Sequence, residues 1–199
     1  MIKFLIVFFI SLNSVIAQPN LEQLLYSIKS FKGEFTQIVT DQNGEIIQEV
    51  EGRVLFKKPN FFRWSYVSPF QNEVVSDGEL LYLYDPDLKQ VVVSPLSKLG
   101  GVSPAMLLVA TNIKTIFITN QVQDKKGINW FRSIPRDKDQ AFFKEVYINF
   151  DDFKLNIMRI IDNFDNVTDI NFKNIIQNND INDATFLFNF PEGVDVIKN

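Results

Sequence analysis

The chain contains neither cysteine nor histidine. Those two absences remove several function classes at once. Without Cys there is no thiolate nucleophile and no disulfide, and without His no imidazole base; most transition-metal sites also lose their usual ligands. No run of Lys or Arg forms a basic stripe, and the formal net charge is −4, which excludes nucleic acid as a partner. The acidic pairs Asp151-Asp152 and Asp85/Asp87 have no second catalytic partner and read as turn residues. No serine stands in a Ser-x-x-Lys context, so no hydroxyl has an evident activator. Repeats, low-complexity tracts and linkers are missing as well. The expectation is a binding protein with no catalytic residues, no metal and no cofactor.

A membrane-spanning run is also lacking. Met1-Ile2-Lys3 is a short positive start, Phe4 to Ile10 a compact apolar stretch, and Val15-Ile16-Ala17 a cleavage-type ending before Gln18. Ser11, Asn13 and Ser14 interrupt the stretch well short of the about 20 apolar residues a spanning helix needs. The expected organisation is a signal peptide over 1–17, removed on export, and a single domain over 18–199. No Cys stands at the cleavage point to carry a lipid, so the exported chain is expected to be soluble in the periplasm.

What is present is an ordinary globular composition, 46% hydrophobic and 22% charged. Its 199 residues favour one domain with enough core to dispense with disulfides. The 20 phenylalanines accompany many Ile, Asn and Lys, as an AT-rich genome produces, and do not by themselves mark a lipid site.

Asn20 is placed to cap a short helix with Leu21, Leu24, Leu25 and Ile28 on one stripe, closed by Gly33. Strands then dominate. Phe35, Gln37 and Val39 alternate, Asn43-Gly44 signals a hairpin, and Ile46 to Lys57 makes a long strand bent near Gly52. After Pro59-Asn60, Phe62, Trp64 and Tyr66 place three aromatics on one face. Leu80 to Tyr84, between two turns, is apolar on both faces. Ser103 and Pro104 open a short apolar helix over Ala105-Met106-Leu107-Leu108-Val109-Ala110, an unusual insert among strands. Strands resume near Ile116. Phe142, Val146, Ile148 and Phe150 share a face, then Ile170, Phe172 and Ile176, and Phe186, Phe188 and Phe190 form a last alternating stripe. About ten short strands with polar alternate faces predict a mainly β fold, one strongly curved antiparallel sheet or barrel.

Five stretches in this order resemble the outer-membrane lipoprotein carrier (LolA) family. They are Phe31-Lys32-Gly33-Glu34-Phe35-Thr36-Gln37, Lys57-Lys58-Pro59-Asn60-Phe61-Phe62-Arg63-Trp64, Val75-Ser76-Asp77-Gly78, Leu83 to Gln90, and Ser103-Pro104-Ala105-Met106-Leu107-Leu108. The resemblance runs from the helix near Leu21 to Phe188-Asn189-Phe190-Pro191-Glu192-Gly193-Val194. It implies an incomplete antiparallel β-barrel with a helical lid. It also implies a shuttle that takes lipoproteins from an ATP-driven releasing complex in the inner membrane to an outer-membrane receptor.

On that implication, Phe35, Phe62, Trp64, Tyr66, Phe142 and Ile148 become walls of an acyl-chain cavity. Leu21, Leu24, Leu25, Pro104, Ala105, Met106, Leu107 and Leu108 become the lid, and Lys58 stands where the family usually has the Arg that holds the lid shut. Read from the residues alone, the aromatic face and the leucine stripe are ordinary sheet core and helix packing. The implied protein is a monomer. The alternative kept beside it is a periplasmic module of the same fold that senses stray acyl chains.

Overall fold

The computed structural model describes residues 19–96, 108–109, 113–139, 141 and 143–198. The expected signal segment and the lid residues Pro104, Ala105, Met106 and Leu107 lie outside them, as does Phe142.

One helix opens the fold, α1 (Leu21–Ser27). Asn20 caps it reciprocally: its side chain accepts from Gln23 N at 3.0 Å, while Gln23 Oε1 accepts from Asn20 N at 2.9 Å. The helix ends at Ile28, whose extended backbone leads into β1 (Ser30–Thr40). Gly33, expected to close the helix, lies inside β1 at a bulge against β11 (Val167–Gln177). A Cβ there would press on Lys173 O at 3.2 Å, so the glycine serves close strand approach rather than termination.

From β1 the chain meanders antiparallel through β2 (Ile46–Lys57), β3 (Phe61–Ser68), β4 (Asn72–Asp77), β5 (Leu80–Asp85) and β6 (Gln90–Pro95). A second meander, β7 (Phe117–Gln123), β8 (Asn129–Pro135), β9 (Phe143–Asp151), β10 (Lys154–Asp162) and β11, returns to pair with β1. The short β12 (Asp195–Lys198) adds to β6 in parallel. The described residues thus form one sheet of twelve strands, not about ten, in the linear order β12-β6-β5-β4-β3-β2-β1-β11-β10-β9-β8-β7. It is an open curved sheet, as an incomplete antiparallel barrel requires.

Curvature comes partly from irregular pairing. The ladder between β2 and β3 shifts at Glu51/Gly52, where a Cβ on Gly52 would lie 2.3 Å from Ser65 O and 2.4 Å from the Phe35 ring. Only glycine lets Phe35 fold across β2. Bulges also reset which residues face inward. Register shifts at Ile161/Asp162 and Lys32/Glu34 accompany Phe143 and Ile175 facing the core, and Ile176 is exposed, against the simple alternation through Ile170, Phe172 and Ile176.

The main core lies on the inner face under α1. A smaller cluster, Val75, Tyr82, Val91 and Val93, lies on the opposite face of β4–β6, which explains why Leu80 to Tyr84 is apolar on both sides. Its cover is the C-terminal segment. Phe186, Phe188 and Phe190 do not form a strand: Asn182 caps a 3-10 turn, Asp183–Phe186, and the chain then runs irregularly over the sheet. Phe188 stacks on Tyr82 at 5.1 Å, and Phe186 packs on Phe61 at 5.6 Å. The backbone bonds a strand would give to a ladder go instead to Arg63, which donates to Thr185 O and Leu187 O, each at 2.9 Å.

Candidate functional site

The inner wall brings together side chains from both meanders. Phe35 lies 4.6 Å from Trp64 and meets Tyr66 edge-on at 5.7 Å; Trp64 meets Phe172 edge-on at 6.2 Å. Phe62 and Ile148 belong to the same buried cluster, and Tyr66 packs against it half-buried. Sequence alternation missed Phe31, stacked on Phe56 at 5.2 Å and edge-on to Phe172 at 5.6 Å. Phe31 and Phe35 are four apart, an even spacing that a strand places on one face; with the helix expected to run as far as Gly33, Phe31 was not counted in the strand.

Against this wall lies α1. Leu21, Leu24, Leu25 and Ile28 are buried in the same cluster, as are Leu108 and Val109. The helix side chains fill the concavity. Beside them, a groove of about 240 Å³ opens between Leu24 and Phe131, Phe150 and Phe153, with Gln121, Asn129 and Asp152 at its rim.

Two contacts tether α1 at opposite ends. Lys58 follows β2, and its backbone N–H donates to Lys29 O at 2.9 Å, fixing this turn to the exit of the helix. From there Lys58 Nζ donates to Leu25 O at 2.5 Å. A cation on a last-turn carbonyl is favoured by the helix dipole. Burial nevertheless disfavours the ammonium, and with the nearby Lys29 it pulls the Lys58 pKa down from 10.5 to about 8. At the first turn, Glu22 pairs with Lys114, in the 3-10 turn Ile113–Thr115 that precedes β7. Arg136 Nε donates to Lys114 O at 2.8 Å and steadies that turn. Nothing in the sequence announced Lys114, because the pairing joins distant segments through the fold.

Among the described residues, the cluster of aromatics against which the doubly tethered helix packs is apolar, which suits hydrocarbon. The family model for the outer membrane lipoprotein carrier protein LolA matches residues 26–189. The chain belongs to the LolA family. Among curated relatives, an outer-membrane lipoprotein carrier protein from Methylobacillus flagellatus is 37% identical over 179 residues, 89% of this chain and 87% of that protein. Another of the same description, from Nitrosomonas europaea, is 33% identical, covering 92% and 89% of the two chains. The crystal structure of a LolA-superfamily protein from Nitrosomonas europaea shares the fold, with a TM-score of 0.52 at 11% identity, covering 86% of this chain and 99% of that one. In this LolA-family chain, the segments that carried the resemblance, around Phe35, Lys58 and Trp64, are those that build the inner wall and the helix tether.

Proposed function

We propose that this protein is a soluble periplasmic carrier that binds the acyl chains of lipoproteins on its inner wall. It takes them from an inner-membrane ATP-driven releasing complex and gives them to an outer-membrane receptor. Residues 1–17 act as the export signal, and carriage needs binding alone.

The observation that supports this most is that the cover of the wall is a short helix on two small tethers. Burying a Leu or Ile side chain is worth about 1.5–3 kcal/mol, so the four helix side chains on the wall contribute on the order of 10 kcal/mol as an upper estimate. An acyl chain gains about 0.8 kcal/mol per buried methylene, also on the order of 10 kcal/mol for one chain. Helix and cargo are therefore matched competitors for one surface. A carrier that must both load and unload needs that balance.

In this reading Phe35, Phe62, Trp64, Tyr66 and Ile148 contact cargo, with Phe31, Phe56 and Phe172 added to them. Leu21, Leu24, Leu25 and Leu108 are the displaced cover, and Lys58 is its latch. A lysine here gives one flexible donor where a guanidinium gives a planar fork, so the latch is a loose one.

The test is transfer. Purified protein, lacking residues 1–17, is incubated with spheroplasts that display newly made lipoproteins. The carrier releases them as soluble one-to-one complexes, then surrenders them to outer-membrane vesicles. Lipoproteins that stay on the spheroplasts at every carrier concentration refute it. Complexes that form but are never surrendered favour the sensing module.

A further inference from the structure

Among the described residues, two buried side-chain polar atoms lack a hydrogen-bond partner: Ser133 Oγ and Trp64 Nε1. They differ in kind. A serine hydroxyl rotates and can donate or accept; an indole N–H only donates, in one direction fixed by the ring. The Trp64 ring is held by Phe35 and Phe172, so it cannot turn its N–H toward water. Trp64 is 6% exposed and lies in the middle of the inner wall. Native proteins retain few such orphaned donors, because desolvating one without a partner is unfavourable. A phenylalanine would offer an apolar face without that cost.

The nearest polar neighbour does not resolve it. The Tyr66 oxygen is close enough for the indole N–H to temper the upward push that burial gives the phenol, but no hydrogen bond of good geometry joins the two. Tyr66 therefore remains a neutral hydroxyl, two residues along the same face. Together they form a small polar spot in the apolar cluster to which the side chains of α1 also belong.

We infer that Trp64 Nε1, with the Tyr66 hydroxyl beside it, receives the carbonyl oxygen of an ester- or amide-linked acyl chain when α1 is displaced. The chemistry selects that group. A bare hydrocarbon has no acceptor to offer. A free carboxylate or a phosphate would bring a charge against a wall where, among the described residues, no Lys or Arg is fully buried, which is disfavoured. A neutral carbonyl is an acceptor that needs one or two neutral donors once it leaves water. The polar spot thus sets the register of the chain in the cavity and distinguishes acyl lipids from alkyl lipids of the same length.

The inference rests on the acyl-binding reading, and the experiment separates the two. Two fluorescent glycerolipid probes of equal chain length are titrated into the protein, one ester-linked and one ether-linked. The wild type binds the ester about five- to tenfold more tightly. Trp64→Phe lowers the affinity for the ester by more than that for the ether, so that the preference disappears. In the wild type the indole proton resonance of Trp64 moves downfield with the ester and not with the ether, a readout that does not depend on the variant folding. Equal affinities in the wild type, or a preference that survives Trp64→Phe, overturn the inference and leave the carrier reading standing. Failure of both probes to bind overturns the carrier reading itself.

Discussion

The same sheet carries two apolar surfaces with two different covers. On the inside, α1 lies on the aromatic wall by four aliphatic side chains, held by one lysine–carbonyl bond and one ion pair. On the outside, the C-terminal segment lies on β3–β6 by three phenylalanines, each engaged with sheet aromatics, and Arg63 grips two of its carbonyls. Lys57 adds bonds to Ile181 O and Asp183, and the segment then continues into the ladder of β12 on β6. The outer cover is built into the sheet; the inner one is attached to it. A protein that must expose one face on demand gains by making the other face permanent, since otherwise opening would become unfolding.

If that contrast holds, the largest effect on stability falls on the outside. Phe186 is fully buried there. Phe186→Ala should cost about 3–5 kcal/mol in urea unfolding. The folded fraction should still bind an acyl probe with unchanged affinity. An increase in affinity would mean that the outer segment is also a removable cover.

On the inside, Leu25→Ala should act through the competition instead. The loss of helix packing, about 2 kcal/mol, should reappear as acyl-probe affinity raised roughly tenfold or more. Global stability should fall by less than for Phe186→Ala, because a weakly docked helix can leave without unfolding the sheet. Equal losses of stability for the two variants, with no gain in affinity, would erase the distinction.

The Lys58 latch gives a pH signature. Its pKa is about 8 with the helix down and returns toward 10.5 when the side chain is free in water. Between these values the open form binds more protons than the closed one, so rising pH favours closure. Affinity for an uncharged acyl probe should therefore fall from about pH 8 to pH 10 and be flat below pH 8. Lys58→Arg, charged throughout, should flatten the profile. A wild-type profile flat across the whole range would remove Lys58 from the latch.

The smallest effect belongs to the exposed ion pair. Lys114→Glu should raise probe affinity about two- to fivefold at low salt, and the exchanged pair Glu22→Lys with Lys114→Glu should restore it. Both differences should vanish near 1 M salt, where screening acts within about 3 Å. Amide exchange of Leu24 and Leu25 would follow the same order if the pair acts on the helix.

Legibility followed the range of the interaction. The cap at Asn20, the leucine stripe and the alternation of Phe62, Trp64 and Tyr66 were readable because a residue and its near neighbours decide them. Parity failed wherever a bulge intervened, as at Phe143 and Ile175, because an extra residue in one strand is set by the partner strand. The stripe Phe186, Phe188 and Phe190 has strand periodicity and no ladder to join, so pattern and structure part there. Lys58 was placed by family resemblance, but its acceptor, Leu25 O, follows from how helix and turn meet.

By itself, the sequence determined that this chain is a β-rich binding protein without thiol or imidazole chemistry, that a capped helix precedes the strands, and that one strand face is aromatic. Those are properties of composition and of period, which act locally. Tertiary structure alone decided that the helix joins the buried cluster of that face, that Lys58 and Lys114 tether it, and that one indole N–H of the cluster is left without a partner. Each of these depends on segments far apart in the chain meeting at one place, and no local pattern encodes that meeting.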